Sequence, residues 1–212
     1  MSEKTISDRI RNIVLLMYLV RKTNEKFVME DNLKVQKLVF LSQKELTAKK
    51  MNGFAYLFLR WLKGPFSGDL NNDIVLLKQM KLLRWGDDRI ELTEEGEHIL
   101  ESLHEIVENN KRFSDIIDDI IEEYGSLSPD EMKEKVYQME ILVPKDRKVM
   151  KIEEIPPKKL ILFGLSKKNT EIEFNINEEW LDTLEVLFDD EAIQFLERLK
   201  NSAIEGNIIE FS

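Results

Sequence analysis

Leu33-Lys-Val-Gln-Lys-Leu-Val-Phe-Leu-Ser-Gln43 and, further along, Gly64-Pro-Phe-Ser67 decide how this chain folds. In the first stretch Val35, Leu38, Val39 and Leu46 recur at helical spacing behind Asp31 or Asn32, residue types that cap helix N-termini, so a helix is expected from Leu33 to about Ala48. In the second, Pro65 has no backbone donor and Gly64 permits a sharp bend, which predicts a turn with Ser67 as the next cap. A helix from Gly68 to about Leu82 then buries Leu70, Ile74 and Leu77. Leu82-Leu-Arg-Trp85 and Arg89-Ile-Glu-Leu92 flank Gly86-Asp-Asp88, a hairpin signal, and Thr93 opens a helix that continues through Val107. Helix, turn, helix, two-stranded wing and closing helix make a winged-helix plan within a mainly helical α+β class. Such folds act both as DNA readers and as protein-docking modules.

Working outward, Ser7 and Asp8 are candidate caps for a first helix to about Lys22, with Ile10, Ile13, Val14, Met17 and Val20 at helical spacing. Leu15 and Leu16 widen its apolar face, so it should be buried on more than one side. Tyr56 to Leu62 is aromatic and apolar and reads as a buried strand, with Trp61 in the core. Residues 113–123 alternate Ile with Asp and Glu in helical period, which predicts an amphipathic helix with a solvated acidic face. Ser128-Pro129 begins another helix, because Pro suits a first helical turn.

Pro144, Pro156 and Pro157 lie in a charged stretch, so the expected domains are 1–144, a linker at 145–159, and a small α+β unit at 160–212. That unit reads strand-strand-helix-helix-strand: Leu160–Phe163, Ile172–Ile176, Glu178–Phe188 with Trp180 in its core, Glu191–Ile204 and Asn207–Phe211.

The chain has 212 residues, no Cys and a net charge of −10. Lack of Cys excludes disulfides and thiolate chemistry and fits a reducing compartment. With no signal peptide or membrane-length apolar run in the reading, the expectation is a cytoplasmic protein off the membrane. Charge is split unevenly. Residues 1–86 carry 16 basic and 8 acidic side chains, residues 87–150 carry 8 and 19, and residues 151–212 carry 7 and 14. Such a split suits either a basic surface for nucleic acid or an acidic partner, or two halves that attract each other within one fold.

Leu33-Lys-Val-Gln-Lys-Leu38 with its continuation to Gln43, the Gly64-Pro-Phe-Ser67 turn and the helix after it resemble the Panacea, or SocA-like, domain of phage-associated proteins. The resemblance covers about residues 5–140 and makes Leu33, Gln36, Lys37, Gly64, Pro65, Phe66 and Ser67 the family-motif positions. Phe66-Ser67 after Gly-Pro is closer to the YwgA-like relatives than to the antitoxin members. The resemblance implies a non-catalytic protein-interaction module, antitoxin-like or adaptor-like, that binds and restrains a partner such as a toxin encoded nearby. A second copy of the chain is another candidate partner.

The alternative from the same plan is a winged-helix transcription regulator. Lys34, Lys37, Lys44, Lys63, Lys78, Arg84 and Arg89 are the candidate basic face for nucleic acid or a protein partner, with Asn71, Asn72 and Gln79 as candidate base readers. Asp69 and Asp73 oppose that reading, since carboxylates on a reading helix repel phosphates, and suit the helix N-terminus instead. An enzyme has little support. His98 and His104 are six apart and match no metal spacing, and Gly64 and Gly68 lack the Lys-Ser/Thr of a phosphate loop, so no cofactor or metal is expected.

Overall fold

The computed structural model describes residues 5–86, 89–144 and 146–188 and divides the chain into two compact units, Met1–Asn175 and Ile176–Ser212. The chain is mainly helical α+β. Helix α1 (Ile6–Lys26) is capped by Thr5, whose side chain accepts from the Asp8 N–H while the Asp8 carboxylate accepts from the Thr5 N–H. Asp8 therefore closes a capping box from the third helical position instead of serving as the cap. Every residue from Ile10 to Val20 is buried, so α1 is the central rod of the larger unit. Helix α2 (Asn32–Ala48), capped by Asp31, packs beside it.

After α2 the chain runs through a short strand β1 (Met51–Asn52) into β2 (Phe58–Trp61) and β3 (Gly64–Phe66). β2 and β3 are antiparallel with Trp61 opposite Gly64, so the reversal is made by Leu62-Lys63. The Gly64-Pro-Phe segment is thus a strand and not the turn itself. Pro65 is accommodated because β3 is an edge strand, where the missing N–H costs no ladder bond, and Gly64 takes a left-handed φ of 91° that a side chain would disfavour. Ser67 caps helix α3 (Gly68–Gln79) as its position suggested.

The hairpin β4 (Leu83–Trp85) with β5 (Ile90–Leu92) follows, then α4 (Glu94–Ser102), α5 (His104–Asn109), α6 (Lys111–Tyr124) and α7 (Pro129–Tyr137). The single helix expected from Thr93 to Val107 is broken at Leu103 into α4 and α5. On α6, Ile116, Ile117, Ile120 and Ile121 are buried while Asp115, Asp119, Glu122 and Glu123 face water, as the alternation predicted. Asp118 is half-buried and accepts the Tyr18 hydroxyl, at 2.9 and 3.0 Å to its two oxygens.

The region expected to be a linker is structured. β6 (Glu140–Val143) and β7 (Lys148–Lys151) form a hairpin and Ile152–Glu154 a short 3-10 turn. β8 (Leu160–Leu162) adds antiparallel to β2, giving the sheet order β3-β2-β8, and β9 (Ile172–Glu173) pairs in parallel with β1. The expected boundary at 145–159 is therefore wrong. The strands after it do not pair with each other but complete sheets begun a hundred residues earlier, and the unit boundary falls after Asn175.

Arg11 explains part of this. Buried in α1, it donates to the Gly53 carbonyl at 2.7 Å and reaches Asp8, Asn52 and Glu173, tying β1 and β9 to the central helix. Asn110 adds two bonds to Asn175, and Phe174 meets Phe113 edge-on.

In the second unit, Asn177 caps helix α8 (Glu178–Leu187), in agreement with the reading of 178–188, and Trp180 is half-buried. The helix and strand expected at 191–204 and 207–211 lie outside the described residues. Among the described residues no helix is long and apolar enough to cross a membrane.

Part of the charge split resolves into internal pairing. Arg11 with Glu173, Arg21 with Glu97, Lys26 with Glu122 and Lys50 with Glu171 each join the basic early part to the acidic later part. Each exposed pair contributes only a few tenths of a kcal/mol to about 1 kcal/mol, but they remove charge from the surface that a partner would meet.

Candidate functional site

The two motif stretches meet in space. Gln36 on α2 donates from Nε2 to the Ser67 carbonyl at 3.1 Å and accepts the Ser67 N–H at 2.9 Å on Oε1. Both backbone groups of Ser67, the residue before α3, are thereby bonded to one side chain, as a strand neighbour would bond them. Lys37, next in sequence, donates from Nζ to the Pro65 carbonyl at 2.8 Å and is only 1% exposed. Burial, helped by the nearby Lys63 and opposed by Asp31, pushes its ammonium down to about 7. Seven residues further along α2, Gln43 repeats the Gln36 device on Tyr56, with bonds of 2.7 and 2.9 Å to its carbonyl and N–H. Gln36, Lys37, Pro65 and Ser67 therefore form one buried clamp on the β2–β3 hairpin, with Gly64 beside the Lys37 stem, while Leu33 and Phe66 are half-buried.

This corrects the basic-face expectation. Lys34 and Lys37 do not line a solvated stripe: both are 1% exposed, Lys34 with its ammonium 2.6 Å from Glu30. Lys44 is half-buried. Lys63 and Lys78 are exposed, with Lys78 lying over the Trp85 ring at 5.7 Å. Arg84 and Arg89 are exposed but share one carboxylate, Glu91, at 2.5 and 2.7 Å. The seven residues do not form one cationic surface, because two are interior, one is half-interior and two share the single negative charge of Glu91.

Asp69 and Asp73 part company. Asp69 is exposed near the start of α3, whereas Asp73 is buried and accepts from the Tyr56 hydroxyl at 2.9 Å and Arg9 Nε at 3.2 Å. Asp73 is thus an interior partner tying α1, the segment before β2 and α3 together, beyond any dipole role. Asp73 and burial hold the Tyr56 hydroxyl well above its ordinary value. His98 and His104 are both exposed and stand on different helices, and among the described residues no group of His, Asp and Glu is arranged to hold a metal ion.

What the clamp presents outward is the β2–β3 tip. Trp61, expected in the core, is 38% exposed because it is the last residue of β2, with its ring under the Lys158 ammonium at 5.7 Å. Leu62 is 75% exposed, the most open of the large apolar side chains described. Tyr137 at the end of α7 donates to the Leu62 carbonyl at 2.5 Å, and the Arg60 guanidinium lies over the Tyr137 ring at 5.3 Å. Arg60 also donates to the Trp61 carbonyl at 2.7 Å. Lys158 is one of four non-glycine residues with positive φ among the described residues, here 67°, and its N–H donates to the Arg60 carbonyl at 2.7 Å.

Tyr137 and Lys158 had no local motif to reveal them. The Gln36–Gln43 pair did leave a signal, since two amides seven residues apart on an otherwise apolar helix face must find partners inside. No family model, no curated protein and no solved structure matches the chain.

Proposed function

We propose that this chain is a non-catalytic protein-interaction module that binds and restrains a partner protein, the antitoxin-like or adaptor-like role implied by its Panacea resemblance. The observation that carries the reading is the Trp61-Leu62 tip, with large apolar side chains held in water by a hairpin that Gln36, Lys37 and Tyr137 fix from within. A hairpin needed only for folding gains nothing from Leu at its most exposed position, whereas rigid apolar anchors in water are what docking surfaces use. The rival reading, a winged-helix regulator, requires free cations on the β4–β5 hairpin, and Glu91 engages both of the arginines there.

Co-expression with the products of adjacent genes tests the proposal. A neighbour that is toxic alone, harmless with this chain and co-purified with it is the expected result. If no neighbour is toxic alone and none co-purifies, the antitoxin role fails.

A further inference from the structure

The tip's chemistry selects a kind of partner. Around Trp61 and Leu62 stand Arg60, Lys63 and Lys158, and among the described residues neither Lys63 nor Lys158 pairs with a carboxylate. The acidic side chain beside them, Glu153, directs its carboxylate to Gln138 at 2.9 Å and offers Arg60 only its backbone carbonyl. On a chain of net charge −10, this is a cationic rim around an apolar point.

We infer that the β2–β3 tip binds an acidic protein segment that carries an aliphatic or aromatic anchor. The anchor packs on Leu62 and the open part of Trp61, while flanking Asp or Glu side chains meet Lys63, Lys158 and the outer edge of Arg60. The inference rests on the protein-interaction reading and adds the partner's chemistry and its address on the fold. A protein segment fits better than a single-stranded nucleic acid for two reasons. Leu62, the most exposed element, has no π-face on which a base could stack, and the Trp61 ring already carries the Lys158 ammonium. Backbone strain points to the same place: Lys158 holds its left-handed φ because its N–H is fixed by the Arg60 carbonyl, which stations the ammonium over Trp61. The backbone of the tip is thus preorganised, and less chain freedom remains to be lost when a partner arrives.

The full chain, immobilised, is panned against a phage-displayed library of random dodecapeptides, and selected peptides are measured by fluorescence polarisation. Enriched sequences should combine Asp or Glu with Leu, Ile, Phe or Trp, and binding should weaken as salt rises. Leu62→Asp and the double variant Lys63→Glu/Lys158→Glu should each lower affinity by roughly tenfold or more, because they remove an anchor or reverse the rim. Leu142→Asp, at another exposed apolar position on β6, should leave affinity unchanged and controls for general stickiness. Unchanged circular dichroism and unfolding midpoints certify that the tip variants fold. No enrichment, enrichment of non-acidic peptides, indifference to Leu62→Asp, or tighter binding of a fluorescent oligothymidylate would each overturn the inference. If a neighbouring gene product co-purifies with wild type and Leu62→Asp alike, the interaction module stands and the tip assignment alone falls.

Discussion

Replacing Lys37 by Met should reverse the sign of its effect on stability as pH changes. In the folded chain burial lowers this ammonium from 10.5 to about 7, while in the unfolded chain it keeps the ordinary value. Between those two pH values the unfolded chain holds a proton that the folded chain has released, so stability rises with pH through that window and the full penalty stands below it. At about 1.4 kcal/mol per pH unit the gap amounts to at most about 5 kcal/mol. Met keeps the stem's volume and abolishes the titration, but it leaves the Pro65 carbonyl without its 2.8 Å donor, at a cost of about 1–3 kcal/mol. Near pH ~11 the variant should therefore be less stable than wild type by about 1–3 kcal/mol, and near pH ~6 more stable by about 2–4 kcal/mol, with the two curves crossing between. Urea unfolding of both proteins across a pH series, followed by far-ultraviolet circular dichroism, gives the difference directly. Parallel curves would refute the reasoning, because they would mean that Lys37 titrates alike in the folded and unfolded chain.

Gln36→Ala leaves the Ser67 N–H without its partner and takes one of two donors from the Ser67 carbonyl, which keeps the Asn71 N–H, and should cost about 1–3 kcal/mol in urea unfolding, the range for one buried group left unsatisfied. Tyr56→Phe deletes the 2.9 Å bond to Asp73 and should cost about 1.5–3 kcal/mol, the range for a hydrogen bond to a charged group, read as a lowered unfolding midpoint. Glu91→Gln frees Arg84 and Arg89; the wild type should retain no duplex DNA on a column at low salt, and the variant should retain it weakly and release it as salt rises. Tight wild-type retention would instead favour the transcription-regulator reading.

Which parts of the fold were legible follows from the range of the forces involved. Helices α2, α3, α6 and α7 and the β4–β5 hairpin announce themselves through caps, periodicity and turn residues, all of which act within a few positions. β8 and β9 also read as strands, but their partners β2 and β1 lie about a hundred residues away, and nothing local in Leu160–Leu162 says which edge it will complete. The prolines at 144, 156 and 157 suggested a linker because proline interrupts regular structure. Here Pro144 sits in the connection of the β6–β7 hairpin, and Pro156 and Pro157 follow the short 3-10 turn. At the candidate site, the error over Lys34 and Lys37 has a physical origin: a lysine is counted as a surface residue by default, and only a carbonyl or carboxylate supplied from elsewhere in the fold makes its burial tolerable.

That burial bears on function through the hairpin it controls. Lys37, Gln36 and Tyr137 each bond to a backbone carbonyl, at Pro65, Ser67 and Leu62, and the one side-chain contact described between them and the tip is the Tyr137 ring under the Arg60 guanidinium. Backbone anchoring of this kind fixes where β2 and β3 turn while leaving the residues at the turn free to differ. The clamp can therefore hold the same hairpin under tips of different chemistry, so the Leu33–Gln43 and Gly64–Ser67 stretches carry no information about what the tip meets. On the reading proposed above, a partner's chemistry is written in Arg60, Trp61, Leu62, Lys63 and Lys158, positions outside those stretches. A substitution in the clamp should accordingly alter stability and binding together, whereas Leu62→Asp should alter binding alone.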